Sequence, residues 1–262
     1  MDLNEQPAWL RDVFALRANK GIDGKNRLLL EGSRLVRAAL AAGATFELAI
    51  QTPEHFGDGG SAAIVAQLAG RGVAIHRLAP AAFSKLSYKA DGLIAVVRYV
   101  APPLEKVLSA ARVMVLDALS DPGNIGAVVR AAGAWDASVA VIDDGKKLFH
   151  PKSLRASLGA VFSTPACMAD RAQLIAQLAG KRPILAVVPD GEHRVDTMPL
   201  DGDPILVVGN EKRGVHPRWL EVATARIAIP MRTSDVALDS LNVATAATVV
   251  LWEAYRRAHP PA

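Results

Sequence analysis

One cysteine, Cys167, is all this chain contains. A lone thiol excludes an internal disulfide and any zinc site built from several thiolates, so Cys167 reads as a small buried residue and no metal centre is expected. No apolar run approaches the roughly 18 residues that a membrane-spanning helix needs, and no membrane partner is expected. The opening segment, MDLNEQPAWLRDVFALRANK, is acidic before it is basic and carries no apolar signal core, so the expected location is the cytoplasm. Internal repeats and low-complexity tracts are missing too.

What is present describes a folded globular protein. About half of the 262 residues are apolar and about a fifth are charged, and the positive mean hydropathy reflects abundant alanine. That length fits one or two domains. The net charge of +4 is unevenly spread: between Arg11 and Arg37 seven Lys or Arg residues face only Asp12, Asp23 and Glu31. Two readings stand: a solvated, mostly helical N-terminus, or a surface on which a phosphate-rich partner docks.

From Arg27 to Arg98 short apolar runs (LLLEG, FELAIQT, VAIHRL, GLIAVVRY) alternate with helical stretches (SRLVRAALAAG, SAAIVAQLAGRG), which predicts a compact α/β domain. Pro102 and Pro103 interrupt both patterns, and the segment 99–106 is taken as a domain boundary. Residues 1–100, with a core at 27–98, form the first predicted domain and residues 108–262 the second. Beyond the boundary, strands are expected at 113–117, 138–143, 184–188, 205–209 and 225–230. Helices are expected from Asn124 and near 152–160, 170–179, 217–222 and 242–258. Several of these strands are apolar on consecutive residues, the pattern of a parallel sheet covered on both faces.

Three segments close predicted strands, where open α/β sheets gather ligands. In LDALSDPGNIGAVVRAAGAWDAS (116–138), Asp121-Pro122-Gly123 makes a turn and Asn124 suits a helix N-cap. Arg130 has Gly126, Ala127, Gly133 and Ala134 at helical spacing, so it either meets a phosphate or carboxylate or serves a helix contact. In ILVVGNEKRGVHPRWL (205–220), Gly209 and Gly214 flank a loop that leaves room for a planar ligand. Val215 and His216 stand where a phosphate loop needs Lys and Ser or Thr. Glu211 stands where a dinucleotide fingerprint needs Gly, which weakens a Rossmann-type reading. Glu211 by itself reads as an acid near a helix N-terminus. In IAIPMRTSDVALDSLNVATAATVVLWEAYRR (227–257), Pro230 ends a strand and Ser240 or Asn242 caps the last helix.

In their order and spacing the three segments resemble the three motifs of SpoU-type (TrmH-like) RNA 2'-O-methyltransferases of the SPOUT superfamily. DPGN with Asn124 and Arg130 is similar to the first motif, VVGNEKRG to the second, and IPM with SLNVA to the third. KSLRASLGAVFSTP (152–165) resembles the segment between the first two. Residues 27–98 resemble the family's N-terminal substrate-binding domain, while the first 25 residues match least. The stretch RTSDVALD (232–239) is longer than the family pattern and lacks its glycine turn.

The resemblance implies an α/β protein in which a small substrate-binding domain precedes a knotted parallel-sheet domain. It also implies a homodimer, S-adenosylmethionine as methyl donor and ribosomal or transfer RNA as substrate. Carried over by residue, Gly209, Ile229 and Leu241 hold the donor through backbone groups, and Asn124, Arg130, Glu211, Ser240 and Asn242 surround the reacting centre. Arg130 is then expected to grip phosphate and stabilise developing alkoxide rather than act as a base. The alternative is an RNA-binding or assembly protein of the same fold without methyl transfer.

Overall fold

The computed structural model describes residues 6–52, 60–87, 92–142, 147–200, 202–232 and 240–260. The chain divides into two compact units, residues 1–100 with 149–163, and residues 101–148 with 164–262. The single boundary drawn from the two prolines does not anticipate the return of 149–163 to the first unit.

The first unit runs α1 (Ala8–Asn19), β1 (Arg27–Glu31), α2 (Ser33–Ala41), β2 (Thr45–Gln51), α3 (Gly60–Gly70), β3 (Ala74–Arg77), α4 (Pro80–Phe83) and β4 (Leu93–Arg98). Its sheet has the order β1-β4-β2-β3, with β4 antiparallel to both β1 and β2 and β3 parallel to β2. α1 places Leu10, Val13 and Leu16, three residues apart and so on one face, in a core with Leu29, Ile50, Phe83 and Val96. The N-terminus is therefore helical as expected, but one face of it is buried rather than solvated. Among its basic residues, Arg27 bonds Asp12 and Asp23, while Arg11, Lys20, Lys25, Arg34 and Arg37 are exposed.

The chain continues through α5 (Leu104–Leu108), β5 (Val113–Asp117), α6 (Pro122–Ala134) and β6 (Ser138–Ile142). Next comes α7 (Pro151–Ser157), which belongs with the first unit. There Phe149 and Phe162 both meet the Tyr99 ring edge-on, and Gly159 at φ 92° leaves no space for a Cβ beside Ala38. The second unit resumes with β7 (Ala166–Met168), α8 (Arg171–Leu178), β8 (Ile184–Val187), β9 (His193–Arg194), β10 (Ile205–Val208), α9 (Pro217–Val222), β11 (Ala225–Ala228) and α10 (Val243–Ala258).

Among the described residues its seven strands form one parallel sheet, β7-β6-β5-β10-β8-β11-β9. β5, β6 and β10 are buried at every residue, which is why they read as unbroken aliphatic runs. β10 lies between β5 and β8, so the loops that leave β5 and β10 emerge side by side.

Short elements escaped the sequence reading: α4, α5, β7 and β9 offer too few residues for a period to show. Pro103 does not break a helix but stands just ahead of α5 as its N-cap. α10 buries Ala244, Ala247, Val250, Leu251 and Ala254, while Thr245 and Trp252 are exposed. Among the described residues no helix is long and apolar enough to cross a membrane.

Candidate active site

β5 ends on Asp117, a buried carboxylate that takes two 2.8 Å hydrogen bonds from the Arg171 guanidinium. A buried charge needs such a partner, and the acid closing an otherwise aliphatic strand was a legible sign of one. The chain then turns through Ala118 at φ 57°, a left-handed conformation rare for a residue with a Cβ. α6 begins at Pro122, whose missing N–H costs nothing in a first turn. Its N-cap is Asp121, which accepts from Gly123 N at 2.7 Å, and not Asn124 as the sequence suggested. Asn124 stands inside the first turn with its side chain released for other contacts.

β10 leads into Gly209. A Cβ at this position would lie 2.1 Å from the Gly214 carbonyl oxygen and 2.4 Å from Val215 N, so only glycine lets the loop fold back on itself. Gly214 closes the loop at φ 71° and donates its N–H to Asn210 O at 2.8 Å. The turn aims Glu211 at the start of α6 rather than at α9, the next helix in sequence. Its carboxylate accepts from Ser120 N (2.8 Å), Asp121 N (3.3 Å) and Asn124 Nδ2 (2.9 Å). Burial would raise this carboxyl's pKa. The hydrogen bonds from Ser120, its own backbone, Asn124 and Asp121 outweigh burial and hold it at about 2.

At the start of α10, Asn242 supplies the cap: its Oδ1 accepts from Ala244 N (2.9 Å) and Thr245 N (3.3 Å). Its Nδ2 donates to Asn124 Oδ1 at 3.2 Å, which joins the three loops in one chain of bonds. Direction along this chain is determined at both ends. An ionised carboxylate only accepts and helix N–H groups only donate, so each amide between them has one workable orientation.

Beside the chain opens a cavity of about 450 Å³, within the range of small-molecule sites. Val187, Val188, Val208, Ile229, Met231 and Leu241 give it apolar walls, and Glu211, Lys212, Ser240 and Asn242 give it a polar side. Of the eight site residues expected from sequence, Gly209, Glu211, Ile229, Ser240, Leu241 and Asn242 line this cavity. Asn124 is bonded to two of them.

Arg130 is not among the lining residues and is exposed on α6. It stands six residues past Asn124, about 9 Å along the helix and roughly a third of a turn away. The bare face around it has a packing cause at one point, since a Cβ on Gly133 would meet Thr164 Oγ1 at 2.3 Å. Most of the lengthened stretch 232–239 lies outside the described residues. Sequence reasoning overlooked Asn210, Ser120 and the Asp117–Arg171 pair.

Comparison with known proteins gives a consistent set of likenesses. Residues 111–252 match the family model described as the SpoU rRNA Methylase family. The chain is 27% identical to the 23S rRNA (guanosine(2553)-2'-O)-methyltransferase RlmP of Bacillus subtilis (strain 168), over 93% of this chain and 94% of that one. It is 33% identical to the 23S rRNA (uridine(2479)-2'-O)-methyltransferase of Streptomyces viridochromogenes, a match that spans 55% of this chain and about half, 52%, of that relative. Among solved structures, an RNA 2'-O ribose methyltransferase superposes with a TM-score of 0.75 at 31% identity, covering 94% of this chain and 96% of that one.

Proposed function

The chain belongs to the SpoU rRNA methylase family, and from that premise we propose that it transfers a methyl group from S-adenosylmethionine to a ribose 2'-hydroxyl of RNA, ribosomal RNA first. The observation that carries the reading is the hydrogen-bonded union of Asn124 with Asn242 and Glu211, the latter two lining one cavity. Two relatives that the chain matches are named 2'-O-methyltransferases, so the non-catalytic alternative is not favoured.

The cavity suits the donor: valine, isoleucine and leucine walls accept a flat adenine, and Gly209, Ile229 and Leu241, which line it, would hold the donor through their backbone groups. When bound, S-adenosylmethionine supplies an electrophilic sulfonium methyl group. The chain's own residues orient the nucleophile and move its proton. Glu211 is a weak base because its carboxyl titrates at about 2, far from working pH. Its task is to hold the Asn124 amide in one orientation. Asn124 and Asn242 present fixed polar groups to the ribose, and Ser240 stands at the cavity rim. Arg130, outside the cavity, grips the phosphate next to the target ribose and stabilises negative charge as the hydroxyl gives up its proton to phosphate or water.

The same reading includes a cytoplasmic homodimer, a trefoil knot in the second unit, and RNA gripped by residues 1–100. A row of rings supports dimerisation. Trp135 and Trp252 lie 5.9 Å apart, Tyr255 stacks beyond at 6.3 Å, and Trp252 is 45% exposed. The setting of β10 between β5 and β8 is compatible with a knot.

The test is a map of 2'-O-methyl positions in total RNA from cells with and without this protein, paired with calorimetry of S-adenosylmethionine binding. Loss of one methylated ribose in ribosomal RNA together with measurable donor heat is expected. An unchanged methylation map and no heat at millimolar donor would remove the reading.

A further inference from the structure

Asn210 follows Gly209 at the end of β10, and its side-chain amide has all four hydrogen-bonding positions in use. Oδ1 accepts from Lys212 N (3.0 Å) and Arg213 N (3.1 Å), which folds its own loop. Nδ2 donates across to the other loop, to Ala118 O (2.8 Å) and Ser120 Oγ (2.9 Å). The orientation of this amide is again forced, because backbone N–H groups face one end and a backbone carbonyl faces the other.

The residues it reaches are the ones that need holding. Ala118 sits at φ 57° with a Cβ, so this turn is disfavoured on its own and persists only while something grips it. Lys147 Nζ holds Leu119 O at 3.0 Å and Arg171 holds Asp117, while Asn210, alongside Glu211 itself, ties this turn to the loop that follows β10. Ser120, whose hydroxyl Asn210 takes, also gives its N–H to Glu211.

We infer that Asn210 is a positioning residue for methyl transfer, whose amide clamps the turn 118–120 against the loop 209–214 so that the Ser120 and Asp121 N–H groups meet the Glu211 carboxylate. The inference rests on the methyl-transfer reading for its kinetic consequence, while the clamp itself is a property of the protein alone.

The deciding variant is Asn210→Asp. An aspartate keeps the two acceptor contacts within its own loop but has no N–H for Ala118 O or Ser120 Oγ. It also adds a carboxylate beside Glu211, whose like charge alone raises the Glu211 pKa. Asn210→Ser, which removes both Nδ2 donors without adding charge, is therefore measured alongside, and an upward shift confined to the aspartate would overturn the inference. Two readouts apply, the Glu211 carboxyl titration by NMR in donor-free protein and single-turnover methylation of undermethylated total RNA.

With the clamp removed, the Glu211 midpoint should move up from about 2 toward the ordinary carboxylate value. The transfer rate should fall about 100-fold, the size of loss expected from misplacing reacting groups by an ångström. Adding Ala118→Gly, which removes the conformational penalty at that turn, should recover part of the rate and protects against a variant that folds poorly. Wild-type titration and wild-type rate in Asn210→Asp would overturn the inference. If the unmutated protein methylates no RNA, the functional reading fails, and the NMR titration still decides the clamp.

Discussion

Arg130 and Glu211, two charged residues of the proposed site, stand in opposite settings. Arg130 stands exposed and outside the cavity, so its substitution by alanine should lower methyl transfer by about 100- to 1,000-fold, the effect of removing one donor to developing charge. Calorimetry should find S-adenosylmethionine binding unchanged; lost binding would place this side chain in the donor pocket instead. Arg130→Lys should fail nearly as badly, because an ammonium lacks the planar fork. Glu211 is the opposite case, committed to protein donors. Its folded pKa of about 2 lies below the ordinary carboxylate value, so its contribution to stability is complete above that ordinary value and fades as pH falls through about 2. Denaturant unfolding of Glu211→Gln against the parent protein should show a constant gap near neutrality that narrows below pH 4.5. A gap that stays level to pH 2 would contradict the hydrogen-bonding account. At this scale residue types were legible and geometry was not. Asp121 and Asn124 both suit an N-cap; Pro122 in the first helical position leaves the cap to Asp121, and Asn124 reaches across to Glu211.

α10 shows the same division one level up. Its span was readable from helical spacing, and Asn242 was one of two expected caps. The structure assigns the cap to Asn242 and gives the same amide a second duty toward Asn124. Asn242→Asp keeps an acceptor for the helix N–H groups but loses the donor to Asn124. Its melting temperature should therefore stay near that of the parent while transfer falls at least tenfold. Asn242→Ala should lose both, with about 1 kcal/mol of stability removed along with the cap. Equal melting temperatures for the two variants would show that the cap carries no stability here. The strands β5, β6 and β10 were visible because burial on both faces makes every residue apolar. β9, with two exposed residues, left no such mark.

For the molecule as a whole, the excursion of residues 149–163 has a consequence for dissection. Phe149, Leu154, Val161 and Phe162 are buried within the first unit, next to Tyr99. A fragment of residues 101–262 would expose these side chains, so it should bind a hydrophobic dye and aggregate, and Phe149→Ser with Phe162→Ser should relieve that. A fragment that stays soluble without dye binding would show that this segment packs elsewhere. If the row of Trp135, Trp252 and Tyr255 joins two copies, Trp252→Arg should shift the protein toward monomer in analytical sedimentation. A dimer that survives the change would move the interface off α10.

The sequence by itself determined that buried aliphatic strands alternate with helices, that Gly209 and Gly214 bound a tight loop, and that asparagine, glutamate and arginine stand at strand ends. Only the tertiary structure decided which ends meet. β5, β8 and β10 are interchangeable as local patterns, all short aliphatic runs, and nothing in their periodicity says that β10 inserts between the other two. That insertion sets Asn124 against Glu211, 87 positions away, and against Asn242, 118 positions away. The reason is physical: periodicity reports which face of an element is buried, whereas neighbours in a parallel sheet are chosen by crossover connections and by packing summed over the whole core.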